Sequence, residues 1–254
     1  MLSSAFEPGF VLPPDALYTA RVIGRGLIRM NLLETVEHET GPTPRASVIW
    51  LHGLGADGND FAPIVPALRL PGGPEVRYVF PHAPVRPVTI NGGMPMRAWY
   101  DIVAIERGAR EDEAGIRDSA AAVEALIRRE GERGIPAERI VLAGFSQGGA
   151  VALHAGLRYP ERLAGIMALS TYLPLRAATL EFHTANHETP LFMAHGSLDP
   201  VVPPMLGEES AKLLSSLGYG VEFKQYVMPH SVCPEEVEDI RGWLSRVLPG
   251  PSAP

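Results

Sequence analysis

The segment Gly144-Phe145-Ser146-Gln147-Gly148 sets a serine hydroxyl among glycines. A serine is a weak nucleophile until a neighbouring base takes its proton. Glycines around it suit a sharp strand-to-helix turn, where larger side chains would clash. Such a turn lifts the hydroxyl to a sheet edge and lays a helix N-terminus beneath a developing anion. With glycine at 26 of 254 positions, a serine so flanked arises by chance in roughly one chain in seven. The context therefore matters more than the pentapeptide. Ile140–Phe145 reads as a strand and Gly149–Tyr159 as a helix, the two elements that this turn needs.

A base and an acid must follow. On a parallel sheet with this kind of turn the order along the chain is serine, then acid, then histidine. The histidines after Ser146 are His154, His183, His187, His195 and His230. His154 falls inside the helix after the serine, and His195 precedes the acid candidate. His230 follows the last strand and a short loop, the position a base requires. Asp199 follows the strand Leu191–Ala194 and fits the acid, which would hold the imidazole in one tautomer and stabilise the imidazolium. Glu208 and Glu209 are alternatives but lie in a predicted helix. A tetrahedral intermediate also needs two backbone donors. The N–H of Gln147 and the N–H of Leu54, in the loop His52-Gly53-Leu54-Gly55, are in the right places.

Other features compete for attention. Gly53-Leu54-Gly55-Ala56-Asp57-Gly58 matches the dinucleotide pattern G-x-G-x-x-G, but the next strand ends at Phe80-Pro81-His82 without the acidic residue that would bind a ribose. His183 and His187 have a metal-compatible spacing, yet the surrounding residues read as a polar surface loop. Cys233 lies three residues after His230, has no turn of the required kind, and reads as a small buried thiol. Glu106–Glu113 reads as a solvated loop entering a helix.

These residues need elements to position them. Strands are expected at Ser47–Leu51, Arg77–Phe80, Ile140–Phe145, Gly165–Leu169, Leu191–Ala194 and Val221–Tyr226. Helices are expected at Ala114–Arg133, Gly149–Tyr159, Met205–Leu217 and Pro234–Val247. In the first of these Ile116, Ala120, Val123, Ile127 and Glu130 share a helical spacing whose last position is polar. The alternation implies an α/β fold with a mainly parallel sheet and helices on both faces, with function gathered beyond the carboxyl ends of the strands. Residues 83–98, rich in proline, read as one long irregular segment able to wall a pocket.

Residues 1–45 read as an N-terminal arm, 46–249 as a single domain and 250–254 as a tail. The net charge of −7 argues against a nucleic-acid surface. One cysteine permits no internal disulfide, which fits a reducing compartment. No run approaches the roughly 18 apolar residues that a membrane span needs, and residues 1–20 lack the plan of a signal peptide. The expectation is a cytoplasmic protein without integral membrane association.

The chain resembles the phospholipase/carboxylesterase family of α/β-hydrolases, which includes the acyl-protein thioesterases and small bacterial carboxylesterases. The resemblance runs from about Ser47 to Leu248. It rests on Leu51-His52-Gly53-Leu54-Gly55, on residues 81–89, on Gly144-Phe145-Ser146-Gln147-Gly148-Gly149, on Leu173-Pro174-Leu175, on residues 196–203 and on Pro229-His230-Ser231. It implies an α/β-hydrolase fold, a triad at Ser146, Asp199 and His230, and oxyanion donors at Leu54 and Gln147. It also implies hydrolysis of carboxylic esters or thioesters without cofactor or metal, and dimers. Arg97-Ala98-Trp99-Tyr100-Asp101-Ile102 is more similar to the bacterial esterases. Residues 1–29 precede anything the family has, so they read either as an added arm or as residues upstream of a start at Met30.

The functional expectation is a serine carboxylesterase for short-to-medium acyl chains, working through an acyl-enzyme on a small-molecule ester or acylated substrate. An acyl-protein thioesterase or lysophospholipase is the alternative within the same chemistry. A non-catalytic binding protein on the same scaffold is the alternative outside it.

Overall fold

Short apolar runs rich in β-branched residues become strands in this chain, and longer periodic stretches become helices. The computed structural model describes residues 32–250 apart from 107 and 183. The expectations for residues 1–29, Met30, His183 and the tail after residue 250 lie outside the described residues.

Strands β1 (Thr35–Glu39), β2 (Ala46–Leu51), β3 (Val76–Pro81), β4 (Val85–Val88), β5 (Met94–Arg97), β6 (Ile140–Phe145), β7 (Gly165–Leu169), β8 (Leu191–Gly196) and β9 (Val221–Tyr226) alternate with helices in the second half of the chain. The helices are α1 (Glu113–Glu132), α2 (Gln147–Arg158), α3 (Pro204–Ser216) and α4 (Pro234–Val247). Seven strands form one sheet in the order β1-β3-β2-β6-β7-β8-β9. All neighbours are parallel except β1, which runs antiparallel to β3 with Thr35 opposite Pro81.

The period-two alternation of each strand divides its side chains between two cores. Ile49, Leu51 and Leu142 pack with Val123, Ile127 and Leu153 from α1 and α2. Val48, Trp50 and Ala143 pack on the other face with Ile240 and Trp243 from α4. A 3₁₀ helix, Ala62–Leu68, covers that second face too. Both faces of the sheet are thus covered, as parallel strands require. Among the described residues no helix is long and apolar enough to cross a membrane.

Glu130, the polar member of the α1 stripe, is fully buried. Arg77 of β3 reaches it at 2.9 Å, and Arg133 reaches its other oxygen at 2.9 Å. The apolar face of α1 tolerates this carboxylate because these two guanidinium groups and that of Arg129, at 3.4 Å, meet it.

Two regions differ from the sequence reading. Strand β1 lies inside the stretch read as an arm, so the sheet starts before residue 46. Its sequence, Thr-Val-Glu-His-Glu, has one aliphatic residue, because an edge strand needs little burial. Residues 83–98 are not irregular. They form the antiparallel hairpin β4–β5, which turns through Gly92 and Gly93 at φ of 68° and 78°. Pro87 stands opposite Pro95, so the hairpin lacks donors in mid-strand and stays a separate two-stranded ribbon.

Candidate active site

Ser146 sits between β6 and α2 with φ 54° and ψ −122°. A non-glycine residue in such a region costs on the order of 1–3 kcal/mol and persists only where its surroundings enforce it. Here the Ser146 N–H donates to the Leu169 carbonyl at 2.8 Å. The Thr171 hydroxyl donates to the Ser146 carbonyl at 2.7 Å. The neighbouring glycines make the turn possible. A Cβ on Gly144 would strike the Gly148 carbonyl, and one on Gly148 would lie 2.5 Å from the carbonyl oxygens of Leu51 and His52. The turn is therefore packed directly against the end of β2.

The three residues expected as a triad come together. His230 places Nε2 2.9 Å from Ser146 Oγ and Nδ1 2.7 Å from Asp199 Oδ2. A carboxylate only accepts, so the proton of the neutral ring sits on Nδ1 and Nε2 is left to accept from the serine hydroxyl. Asp199 is buried. Its Oδ1 accepts from the N–H groups of Val201 and Val202 at 2.8 and 2.9 Å. The Phe145 ring lies 4.7 Å from the His230 ring, centroid to centroid, and backs the imidazole. Such an arrangement can deprotonate a hydroxyl and hold the resulting imidazolium.

The backbone on either side of Ser146 is braced. Gln147 opens α2, where its N–H has no intrahelical acceptor. The Gly53–Leu54 loop runs close by: a Cβ on Gly53 would sit 3.4 Å from Ser146 Cβ. His52 fixes that loop. Its Nδ1–H donates to the Gly53 carbonyl at 2.7 Å, and its Nε2 accepts from the Ala83 N–H at 3.0 Å. Burial lowers the His52 pKa, which keeps the ring neutral for both bonds.

Sequence reasoning missed His52, Trp99, Thr171 and His195. His52 and Trp99 lie inside blocks that carry the family resemblance, which was the available signal. Thr171 acts across 25 residues and leaves no local pattern, and His195 was weighed only as a base, not as a support for Asp199 four residues on. The other candidates fall elsewhere. His154 is buried in α2, Glu209 pairs with Arg176 at 3.0 Å, and Glu208 accepts from Gln225 at 2.8 Å. His187 leans on the Tyr219 ring. Cys233 is half-buried at the N-cap of α4 rather than enclosed. The G-x-G-x-x-G stretch leads into the 3₁₀ helix, not the α-helix that a dinucleotide site requires.

A cavity of about 630 Å³ opens elsewhere on the described residues, and none of Ser146, Asp199, His230, Leu54 and Gln147 is among its walls. Its walls include residues 100–106, 108–111, Arg117, residues 175–178 and Leu206. Tyr100, Ile102, Leu173, Leu175 and Leu206 give it an apolar lining. Two of its lining residues are tied to residues beside Ser146. The Tyr100 carbonyl accepts from Gln147 Nε2 at 2.7 Å, and Tyr172 follows the residue that holds the Ser146 carbonyl. The Tyr100 and Tyr172 hydroxyls stand 3.2 Å apart.

A family model described as Phospholipase/Carboxylesterase matches residues 33–248, beginning two residues before β1. The curated relative Acyl-protein thioesterase 1 of Neurospora crassa is 47% identical over 214 residues, 80% of this chain and 87% of that protein. Its namesake from Mycosarcoma maydis is 40% identical over 238 residues, 87% of this chain and 99% of that protein. The crystal structure of Zea mays acyl-protein thioesterase 2 aligns with a TM-score of 0.74 at 31% identity, over 84% of this chain and 99% of that one.

Proposed function

The chain belongs to the phospholipase/carboxylesterase family of serine hydrolases, and within it we propose an acyl-protein thioesterase, with Ser146, Asp199 and His230 as its triad. The observation that carries the chemistry is the unbroken chain from Asp199 Oδ2 to His230 to Ser146 Oγ, at 2.7 and 2.9 Å. The two fungal relatives named acyl-protein thioesterase 1 carry the choice of thioester.

In this reaction Ser146 Oγ attacks the acyl carbonyl carbon while its proton passes to His230 Nε2. Asp199 stabilises the imidazolium. The tetrahedral oxyanion accepts from the N–H groups of Leu54 and Gln147, each worth about 3–4 kcal/mol of barrier. His230 then returns the proton to the departing thiolate as the carbon–sulfur bond breaks. Water, deprotonated by His230, then attacks the acyl carbon, and His230 returns the proton to Ser146 Oγ as the ester bond breaks and the carboxylic acid leaves. The cavity beside Tyr100 lies within the usual size range for small-molecule sites, and we assign it to the acyl chain.

The carboxylesterase reading for shorter chains has one observation of its own. The paired hydroxyls of Tyr100 and Tyr172, with Glu111 nearby in the same cavity, put polar groups where a long methylene chain gains nothing.

One experiment separates the readings. Wild-type protein and Ser146→Ala are assayed on acyl chains from two to sixteen carbons, each as an oxygen ester and as a thioester. Ser146→Ala should lose at least about 10³-fold in turnover on every substrate. A wild-type maximum on thioesters of twelve carbons or more supports the thioesterase. A maximum on short oxygen esters returns the chain to the carboxylesterases, and an active Ser146→Ala overturns both.

A further inference from the structure

We propose that Trp99 sets the separation of the two oxyanion donors and is a positioning residue for the reaction. The inference rests on the assignment of Leu54 and Gln147 made above.

The two donors belong to unrelated segments. Leu54 follows β2, and Gln147 opens α2. The β2–β6 ladder sets Leu51 opposite Gly144, three residues before each donor, but the loops beyond it still have to be held, because an oxyanion hole works only if both dipoles are in place before charge develops. Trp99 bonds to both sides. Its backbone N–H donates to Gln147 Oε1 at 2.8 Å. Gln147 Nε2 donates to the next carbonyl, Tyr100, at 2.7 Å, so the amide is clamped flat on the 99–100 backbone. On the other side the Trp99 indole N–H donates to the His52 carbonyl at 2.8 Å. His52 in turn holds the Gly53 carbonyl, one residue before Leu54. The Trp99 and His52 rings also meet, with centroids 5.3 Å apart.

Trp99 is fully buried, and its own carbonyl accepts from the Ser119 hydroxyl of α1. All three of its polar groups are therefore used, and two of them reach the residues around the donors. Trp50 provides the contrast. It is the same residue type, equally buried, two positions before His52 on β2, and its indole N–H has no hydrogen-bond partner among the described residues. Burying an indole in this sheet does not by itself require a bond, so the bond from Trp99 to His52 needs its own explanation. Spacing the donors supplies one.

The test is Trp99→Phe, which keeps an aromatic ring and deletes the indole N–H. Trp50→Phe is the matched control. Turnover, KM and the affinity for an acyl trifluoromethyl ketone are measured for each, with thermal unfolding alongside. The ketone forms a tetrahedral oxyanion adduct on a reactive serine, so it reads the oxyanion hole directly. Trp99→Phe should lower kcat on the order of 10–100-fold, as about 1 Å of misplacement does. KM should change little, and ketone affinity should fall by a similar factor. Trp50→Phe should match wild type in all three. Gln147→Met keeps the backbone donor but removes the clamp from the other side. It should repeat the Trp99→Phe pattern, and it decides the question if Trp99→Phe does not fold. Wild-type kcat in a folded Trp99→Phe, or a fall in kcat with unchanged ketone affinity, overturns the proposal. Ser146→Ala run in parallel separates the two levels. If it stays active, the underlying reading fails. If it is dead while Trp99→Phe is fully active, only the role of Trp99 fails.

Discussion

His195 Nε2 stands 3.4 Å from Asp199 Oδ2 while donating to the Val202 carbonyl at 2.9 Å. The Val202 N–H returns a bond to Asp199 Oδ1 at 2.9 Å, so the imidazole, the 199–202 turn and the carboxylate form one closed ring. Burial lowers the His195 pKa, which keeps the ring neutral. Its Nδ1 packs against Gly207, where an added Cβ would sit only 2.5 Å away. His195 thus holds the turn that aims Asp199 at His230. His195→Leu should lower kcat about tenfold, the effect of losing one buried hydrogen bond, with KM nearly constant. His195→Gln, whose amide can donate to the same carbonyl, should recover most of the loss. Steady-state kinetics on the three proteins decide it: wild-type kcat in His195→Leu removes His195 from the machinery.

How much of this was legible in the sequence depended on whether the cause was local. The five inner strands β3, β2, β6, β7 and β8 were legible because each is a short apolar run, buried on both faces, and the edge strand β9 because its Val-Glu-Phe-Lys-Gln-Tyr alternates. The turn at Ser146 was legible because its glycines answer backbone clashes within five residues. Asp199 and His230 were legible because chain order and strand ends restrict where they can stand. Strand β1 was not, since a single valine among polar residues carries no period. The β4–β5 hairpin was masked by Pro87 and Pro95, which normally argue against strands. The bonds of Trp99 reach residues 47 and 48 positions away, and no spacing rule encodes them; those of His195 span only four to seven residues but exist only once the 199–202 turn has formed.

His154 predicts how the protein responds to acid. It is buried in α2 and its Nδ1 has no hydrogen-bond partner among the described residues. Burial, helped by the charges of Arg158 and Arg117, lowers its pKa to about 4. An unfolded histidine titrates near 6.5. Above that pH neither state carries the proton and His154 has no effect on stability. As pH falls from about 6.5 towards 4, the unfolded state takes up the proton first and stability declines. Below about 4 both states are protonated and the loss is complete, at about 3 kcal/mol. His154→Leu should therefore lose about 2 kcal/mol less than wild type between pH 7 and 4.5. Urea unfolding at the two pH values measures this, and parallel pH dependences for the two proteins would refute it.

Glu130 predicts a loss of stability without a loss of chemistry. Removing its carboxylate deprives buried Arg77 of one partner, leaving Glu39 at 2.8 Å. Arg133 and Arg129 keep Glu37 at 2.9 and 2.8 Å. Breaking a buried pair from one side typically costs 3–5 kcal/mol. The remaining Glu39 contact puts Glu130→Ala at the low end, about 3 kcal/mol, or a Tm lower by about 6–12 °C. Replacing both groups with apolar residues of similar size should restore much of the stability, because no charge is then left unpaired. Glu130→Met combined with Arg77→Met should accordingly be more stable than Glu130→Ala. Arg77 lies opposite Ser47 at the start of the parallel strands, whereas Ser146 follows the carboxyl end of β6. At a temperature where all three proteins are folded, kcat should be the same within about twofold. Calorimetry and kinetics on the same preparations check both halves, and a double variant no more stable than Glu130→Ala would show that the ion network does more than satisfy its own charges.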